Sequence, residues 1–190
     1  MEEIILQDRE LFLYLNNLGS KEFDAFWVFV SGKWSWLPLY VVFLYLLYKN
    51  FKFKNVLYIL FFLTLGIVVS DQLAGIFKYG ILRLRPCHDP SLDSLMREVE
   101  CGGQYGFYSS HASNTFLLAN FLSVLLWRKY KYLPVFLFAW SGLVAYSRIY
   151  LGVHFPLDIF MGAAMGYFIG GFFASLSQKV INSRSRVLKN

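Results

Sequence analysis

The chain has 190 residues, 57% hydrophobic and only 16% charged, with a formal net charge of +6. That balance excludes an ordinary soluble domain and indicates one membrane-embedded domain over residues 1–190. The cations are scattered over several loops instead of gathered on one face, which excludes a nucleic-acid surface.

In chain order, residues 1–25 alternate apolar and acidic positions, with Ile4, Ile5, Leu11, Phe12, Tyr14 and Leu15 near helical spacing. The pattern predicts an amphipathic helix lying on the membrane, with a sixth, short span as the alternative. Glu2, Glu3, Asp8 and Glu10 stand where a secretory signal needs cations. Five later stretches are long and apolar enough to cross about 30 Å of hydrocarbon as helices: 26–48, 56–77, 111–127, 133–151 and 155–176. The third and fourth are short, so their ends belong in the interface. The expected fold class is all-α, an integral-membrane helical bundle of five or six spans. Lys49, Lys52 and Lys54, then Arg128, Lys129 and Lys131, then Lys179, Arg184, Arg186 and Lys189 fall on one side of five spans. That side is the cytoplasmic one, and the 78–110 loop faces outward. Cys87 and Cys101 share this loop, where an oxidising exterior permits a disulfide; two unpaired thiols are the alternative.

Three clusters at the outer ends of the spans carry chemistry. In Lys78-x6-Arg85-Pro86, the proline predicts a helix end. If the helix continues to Arg85, the two cations lie seven residues apart on one face and can hold a phosphate. Snorkelling interface cations are the alternative, which suits Arg83 better because it lies off that face. Asp71, seven residues before Lys78, sits inside a span, where a carboxylate needs a partner. A supporting role is expected, by pairing with a site cation or bonding between helices, as the adjacent Gln72 also suits.

Ser109-Ser110-His111 opens the third span, where free N–H groups and the helix dipole favour an anion. The serines add donors or a cap, and His111 can carry a proton; a capped helix with an interface histidine is the alternative. His88 has no such context and reads as solvated or loop-packed. In Ser147-Arg148-x5-His154-x3-Asp158, helical spacing stacks a carboxylate beside an imidazole, fixing its tautomer and freeing the other nitrogen to attack. A buried pair used only for packing is the alternative. No carboxylate cage for Mg²⁺ and no Cys/His cage for Zn²⁺ is legible, so neither metal nor other cofactor is expected.

These clusters resemble the type 2 phosphatidic acid phosphatase superfamily, which also includes soluble acid phosphatases and vanadium haloperoxidases. The family pattern is Lys-x6-Arg-Pro, Pro-Ser-Gly-His and Ser-Arg-x5-His-x3-Asp. The first and third are complete here; the second reads Tyr108-Ser109-Ser110-His111, with Tyr for Pro and Ser for Gly. Since Ser disfavours the left-handed backbone that Gly allows, the donor at Ser110 is the point of departure. The resemblance implies an acid-phosphatase/haloperoxidase-like core. It implies His154 as nucleophile, Asp158 as its orienting partner and His111 as acid then base. Lys78, Arg85, Ser109, Ser110 and Arg148 would hold the phosphate, with Asp71 and Ser147 supporting. The implied protein is a metal-independent phosphatase of a membrane lipid phosphate, with its site on the outer face of the cytoplasmic membrane. Undecaprenyl diphosphate, a phosphatidylglycerol phosphate and a lipid A phosphate all satisfy these features. A lipid phosphotransferase using the same intermediate, a haloperoxidase and a non-catalytic lipid-binding protein are the competing readings.

Overall fold

The structure, a computed structural model, describes residues 2–187, with side chains as far as residue 184. Of the tail cations, Lys189 and the side chain of Arg186 lie outside the described residues. Among the described residues seven α-helices follow in order: α1 Glu2–Asn17, α2 Asp24–Ser31, α3 Leu37–Asn50, α4 Phe53–Ile81, α5 Ser110–Leu126, α6 Leu133–Tyr150 and α7 Pro156–Val187. Among the described residues there is no strand; one isolated antiparallel bridge joins Leu84 to Tyr105.

Helices α4 to α7 form a bundle around α5, which packs against α4, α6 and α7, with α5 and α7 running parallel. Helix α5 is buried on several faces, through Ala112, Ser113, Leu117, Ala119, Phe121 and Leu122. Its small residues admit close approach by α7, whose Gly162, Gly166 and Gly170 lie against the α5 carbonyls of Ser109, Ser113 and Leu117. Exposed Phe61, Val68, Ile76, Phe168 and Phe172 form the outer wall facing hydrocarbon. Helices α4, α6 and the 156–184 part of α7 have the length and hydropathy to span a membrane. Helix α7 runs past the expected end at residue 176 to Val187.

The expected continuous span over 26–48 is corrected. It is broken into α2 and α3, which meet at 70°. Gly32 leaves the helical backbone while its N–H still caps α2 on Val28 and Phe29. The Trp36 indole donates to Val30 O at 2.8 Å and pins the bend. Pro38 then suits the first turn of α3, where no N–H is needed.

Helix α1 docks on the protein through Asp8, Phe12 and Asn16, four residues apart on one face. It leaves Ile4, Ile5, Leu6, Leu11 and Tyr14 exposed on the other side. Asn16 is fully buried and works as a four-way tie. Its amide donates to Arg97 O, Ile149 O and Tyr150 O, and its carbonyl accepts from Arg97 N at 2.7 Å. One side chain thereby joins α1, the 82–109 loop and the end of α6. Gly152 turns the chain from α6 to α7 with φ +84°, where an added Cβ would lie 3.0 Å from Arg97 O.

Candidate active site

The C-terminal ends of α4 and α6 and the N-terminal ends of α5 and α7 meet beneath the 82–109 loop. Helix α4 stops at Ile81, past the expected span end at 77 but short of Arg85, because Leu82 takes a left-handed conformation at φ 56°. Lys78 and Arg85 therefore do not share a helix face. The chain runs extended from Arg83, with Arg85 N donating to Gln104 O at 3.0 Å and Gly106 N to Arg83 O at 2.9 Å. In extended backbone, alternate side chains share a side, so Arg83 and Arg85 both turn toward the site. A disulfide joins Cys87 to Cys101 across the same loop. It engages both thiols, and His88 beside it donates from Nε2 to Gly102 O at 2.9 Å.

His154 and Asp158 lie at the start of α7, with side chains 1% and 0% exposed. The helix begins at Pro156, so the pair is not stacked within one helix as the spacing suggested. Asp158 instead reaches back over the first turn. Its Oδ2 accepts from Phe155 N at 3.1 Å, in the manner of a capping box, and from His154 Nδ1 at 3.3 Å. That fixes Nδ1 as the protonated nitrogen and leaves Nε2 with a free lone pair. Burial pushes the His154 ring down to about 4; Asp158 opposes the fall, and the Arg85 and Arg148 charges add to it. The ring is therefore neutral near pH 7. Gly106 passes so close that a Cβ there would lie 2.9 Å from Asp158 Oδ2, 3.2 Å from Arg85 Cγ and 3.5 Å from His154 Nδ1.

Arg85, which shares the Gly106 contact with His154, also lines a cavity of about 820 Å³, whose lining does not include His154, Asp158 or Arg148. Its polar end is lined by Lys78, Arg85, Ser110, His111, Asp71 and Lys33. Its other end is apolar, between α3, α4, α5 and α6, through Trp36, Tyr40, Phe43, Leu63, Leu118 and Trp140. Lys78 Nζ donates to Ser110 Oγ at 2.9 Å. Arg148 is 8% exposed and donates one nitrogen to Ser31 Oγ. Its Nε is buried with no hydrogen-bond partner, a donor still needing an acceptor.

Several expected residues take other places. Ser109 is fully buried and caps α5, its hydroxyl facing Ala112 N at 3.5 Å, instead of lining the cavity with Ser110. Ser110 sits in the first turn of α5 without the left-handed backbone that the Gly-to-Ser change brought into question. Tyr108, standing where the family has Pro, fills the interior at 0% exposure, its ring 5.5 Å from Phe77. Asp71 keeps its expected supporting role in the form of a bond between helices, accepting from Asn114 Nδ2 of α5 at 2.9 Å. Ser147 donates to Val144 O at 2.7 Å, inside α6.

Arg83 corrects the snorkelling reading. Its guanidinium donates to Asp158 Oδ1 at 2.7 Å and to Asp8 Oδ2, and lies 4.3 Å over the Phe155 ring. Asp8, Ser31 and Lys33 also escaped the sequence reading. Asp8 stood out there only as a charge against a signal peptide, and the other two fall in what read as an unbroken span.

The PAP2 superfamily pattern matches residues 60–182. The chain is 37% identical over 177 residues to a lipid A 4′-phosphatase of Porphyromonas gingivalis, covering 90% of this chain and 73% of that protein. A lipid A 4′-phosphatase of Bacteroides thetaiotaomicron is likewise 37% identical, covering 91% and 78%. An undecaprenyl-diphosphatase of Sulfolobus acidocaldarius is 27% identical over 163 residues, covering 84% and 73%. Among solved structures, Aquifex aeolicus LpxE aligns at 28% identity with a TM-score of 0.62, over 90% of this chain and 93% of that one. A transmembrane PAP2-type phosphatidylglycerolphosphate phosphatase from Bacillus subtilis shares the fold, with a TM-score of 0.75 at 19% identity over 95% and 89%.

Proposed function

The chain belongs to the PAP2 superfamily and is a phosphatase of membrane lipids; from there we propose that it works through a phospho-histidine on His154, facing the outer side of the cytoplasmic membrane. The observation that carries this is the buried His154–Asp158 pair packed beside Arg85, which lines a cavity that is cationic at one end and apolar along the other. A lipid phosphate divides in the same way. Its headgroup meets Lys78, Arg85, Ser110 and Arg148, and its chains follow the apolar wall.

In the first step His154 Nε2 attacks phosphorus while Asp158 holds the Nδ1 proton. The bond from phosphorus to the lipid oxygen breaks, and His111 gives that oxygen its proton. The cations meet the charge on the equatorial oxygens, which is greatest in the transition state. In the second step a water attacks phosphorus and passes its proton to His111. The P–N bond breaks, inorganic phosphate leaves and His154 returns to its neutral form. Lys78, Arg85 and Arg148 supply the positive charge that a metal supplies in other phosphoryl transfers, so activity in EDTA is expected.

The two relatives at 37% identity are named for lipid A 4′-phosphate, which makes a lipid A phosphate monoester the favoured substrate over undecaprenyl diphosphate. The test is acid-quenched labelling with ³²P-labelled lipid A, beside phosphate release from all three lipid classes. The expected result is an acid-labile, base-stable adduct on the wild type, no adduct and no turnover in His154→Ala, and inhibition by vanadate. An adduct surviving in His154→Ala overturns the assignment. Labelling single cysteines placed at residues 79 and 131 of intact cells reads the orientation; accessibility of 131 instead of 79 would put the site on the cytoplasmic leaflet.

A further inference from the structure

Arg83 is one of the unspecified positions within the first cluster, yet it makes the shortest contact to the catalytic carboxylate. Asp158 is fully buried and divides its oxygens. Oδ2 takes the His154 ring and Phe155 N, while Oδ1 takes Arg83 Nη1 at 2.7 Å. The other arm of the guanidinium is held by Asp8 Oδ2, from α1. Asp8 is 5% exposed, and its second oxygen accepts from Leu157 N at 2.8 Å, in the first turn of α7. The same carboxylate therefore fixes Arg83 and the helix start that carries Asp158. The flat face of the guanidinium lies over Phe155, whose ring packs edge-on against Phe12 of α1 at 5.3 Å. Unlike Lys78 and Arg85, Arg83 does not line the cavity.

We propose that Arg83, clamped by Asp8 of the N-terminal helix, is the positioning residue of Asp158, which makes α1 a working part of the catalytic site. The inference rests on the His154–Asp158 reading above. A planar guanidinium donates to two carboxylates at fixed angles, so the rotation of Asp158 is set by Asp8 on the far side. With Oδ1 fixed, Oδ2 is aimed at Nδ1 and the ring presents Nε2 to phosphorus. Without the clamp, Asp158 can turn about its last torsion, and the ring loses its aim without loss of any phosphate ligand.

The experiment compares Arg83→Gln, Arg83→Lys, Asp8→Asn, Asp158→Asn and the Arg83→Gln, Asp158→Asn double variant, as full chains turning over lipid A in mixed micelles. Arg83→Gln is expected to lower kcat by about 10- to 100-fold, the scale of a misaimed reacting group, with KM little changed. Asp8→Asn should lower kcat in the same direction by less, and Arg83→Lys should recover part of the loss. In the Asp158→Asn background, Arg83→Gln should cost almost nothing more, since both changes break one unit. A rise in KM at constant kcat would make Arg83 a phosphate ligand and overturn the inference. So would an Arg83→Gln loss repeated in full in the Asp158→Asn background. Should Arg83→Gln not fold, Asp8→Asn with Asp158→Asn gives the same cycle. Wild-type turnover by Asp158→Asn alone would bring down the reaction scheme itself, and this inference with it.

Discussion

Replacing Gly166 with alanine tests whether the His111 end of α5 and the Asp158 end of α7 are set by direct backbone contact. A Cβ at Gly166 would overlap Ser113 O and stand 2.7 Å from Ser113 C and 2.9 Å from Ser113 Cα. Ordinary carbon contacts lie at about 3.5–4.0 Å, so α7 must withdraw by roughly 1 Å. The obstacle is backbone and cannot rotate aside. Ser113 is also tied to α4 through its hydroxyl, 2.8 Å from Ser70 Oγ, so α5 cannot easily yield instead. Overpacking of this kind costs about 1–3 kcal/mol. For a chain of this size each kcal/mol lowers the unfolding midpoint by about 2–4 °C. The displaced ends carry Asp158 on α7 and His111 on α5, and a misplacement near 1 Å can cost about 10²-fold in rate. Gly142→Ala is the control. Nothing lies within 4 Å of that position in α6, so the added methyl should leave kcat unchanged and raise helix stability by up to about 1 kcal/mol. Thermal unfolding in detergent and initial rates of phosphate release read both effects. A Gly166→Ala protein with wild-type midpoint and wild-type kcat would refute the close-packing argument.

Two further outcomes are expected. The Cys87→Ser, Cys101→Ser variant should fold but melt lower, because the bridge closes a loop of about 15 residues, worth roughly 3 kcal/mol in the chain-entropy model. It should also lose some activity, since the bridge ties the Arg85 arm; equal midpoints with and without the bridge, or two free thiols in the intact mass of non-reduced protein, would contradict this. The second concerns pH. Burial holds folded His154 down at about 4, below its ordinary value near 6.5, so between these values the unfolded chain binds more protons. This residue's contribution is therefore present above about 6.5 and is lost as pH falls toward about 4. Wild-type midpoints measured across that window should fall more steeply than those of His154→Gln, and parallel slopes would count against a buried neutral ring.

The residues proposed for phosphate chemistry stood out in the sequence because their types are costly in hydrocarbon and recur at set spacings: Lys78 with Arg85, Ser110 with His111, Arg148 with His154 and Asp158. The apolar runs likewise announced a helical membrane bundle, since a span must satisfy its backbone bonds internally. What tertiary structure alone decided lies in contacts that no local period reports. Asp8 meets Leu157 across 149 residues and Arg83 meets Asp158 across 75. Asn16 bonds three distant carbonyls, though in sequence it is one more polar residue near the end of a helix. The break between α2 and α3 was hidden because Gly32 and Lys33 interrupt the apolar run without lowering its average enough to divide it. The role of Arg83 and the backbone around Arg85 were misjudged for a related reason. A helical face was assumed where Leu82 had already turned the chain, and in extended backbone the side that a residue faces is set by the partner strand.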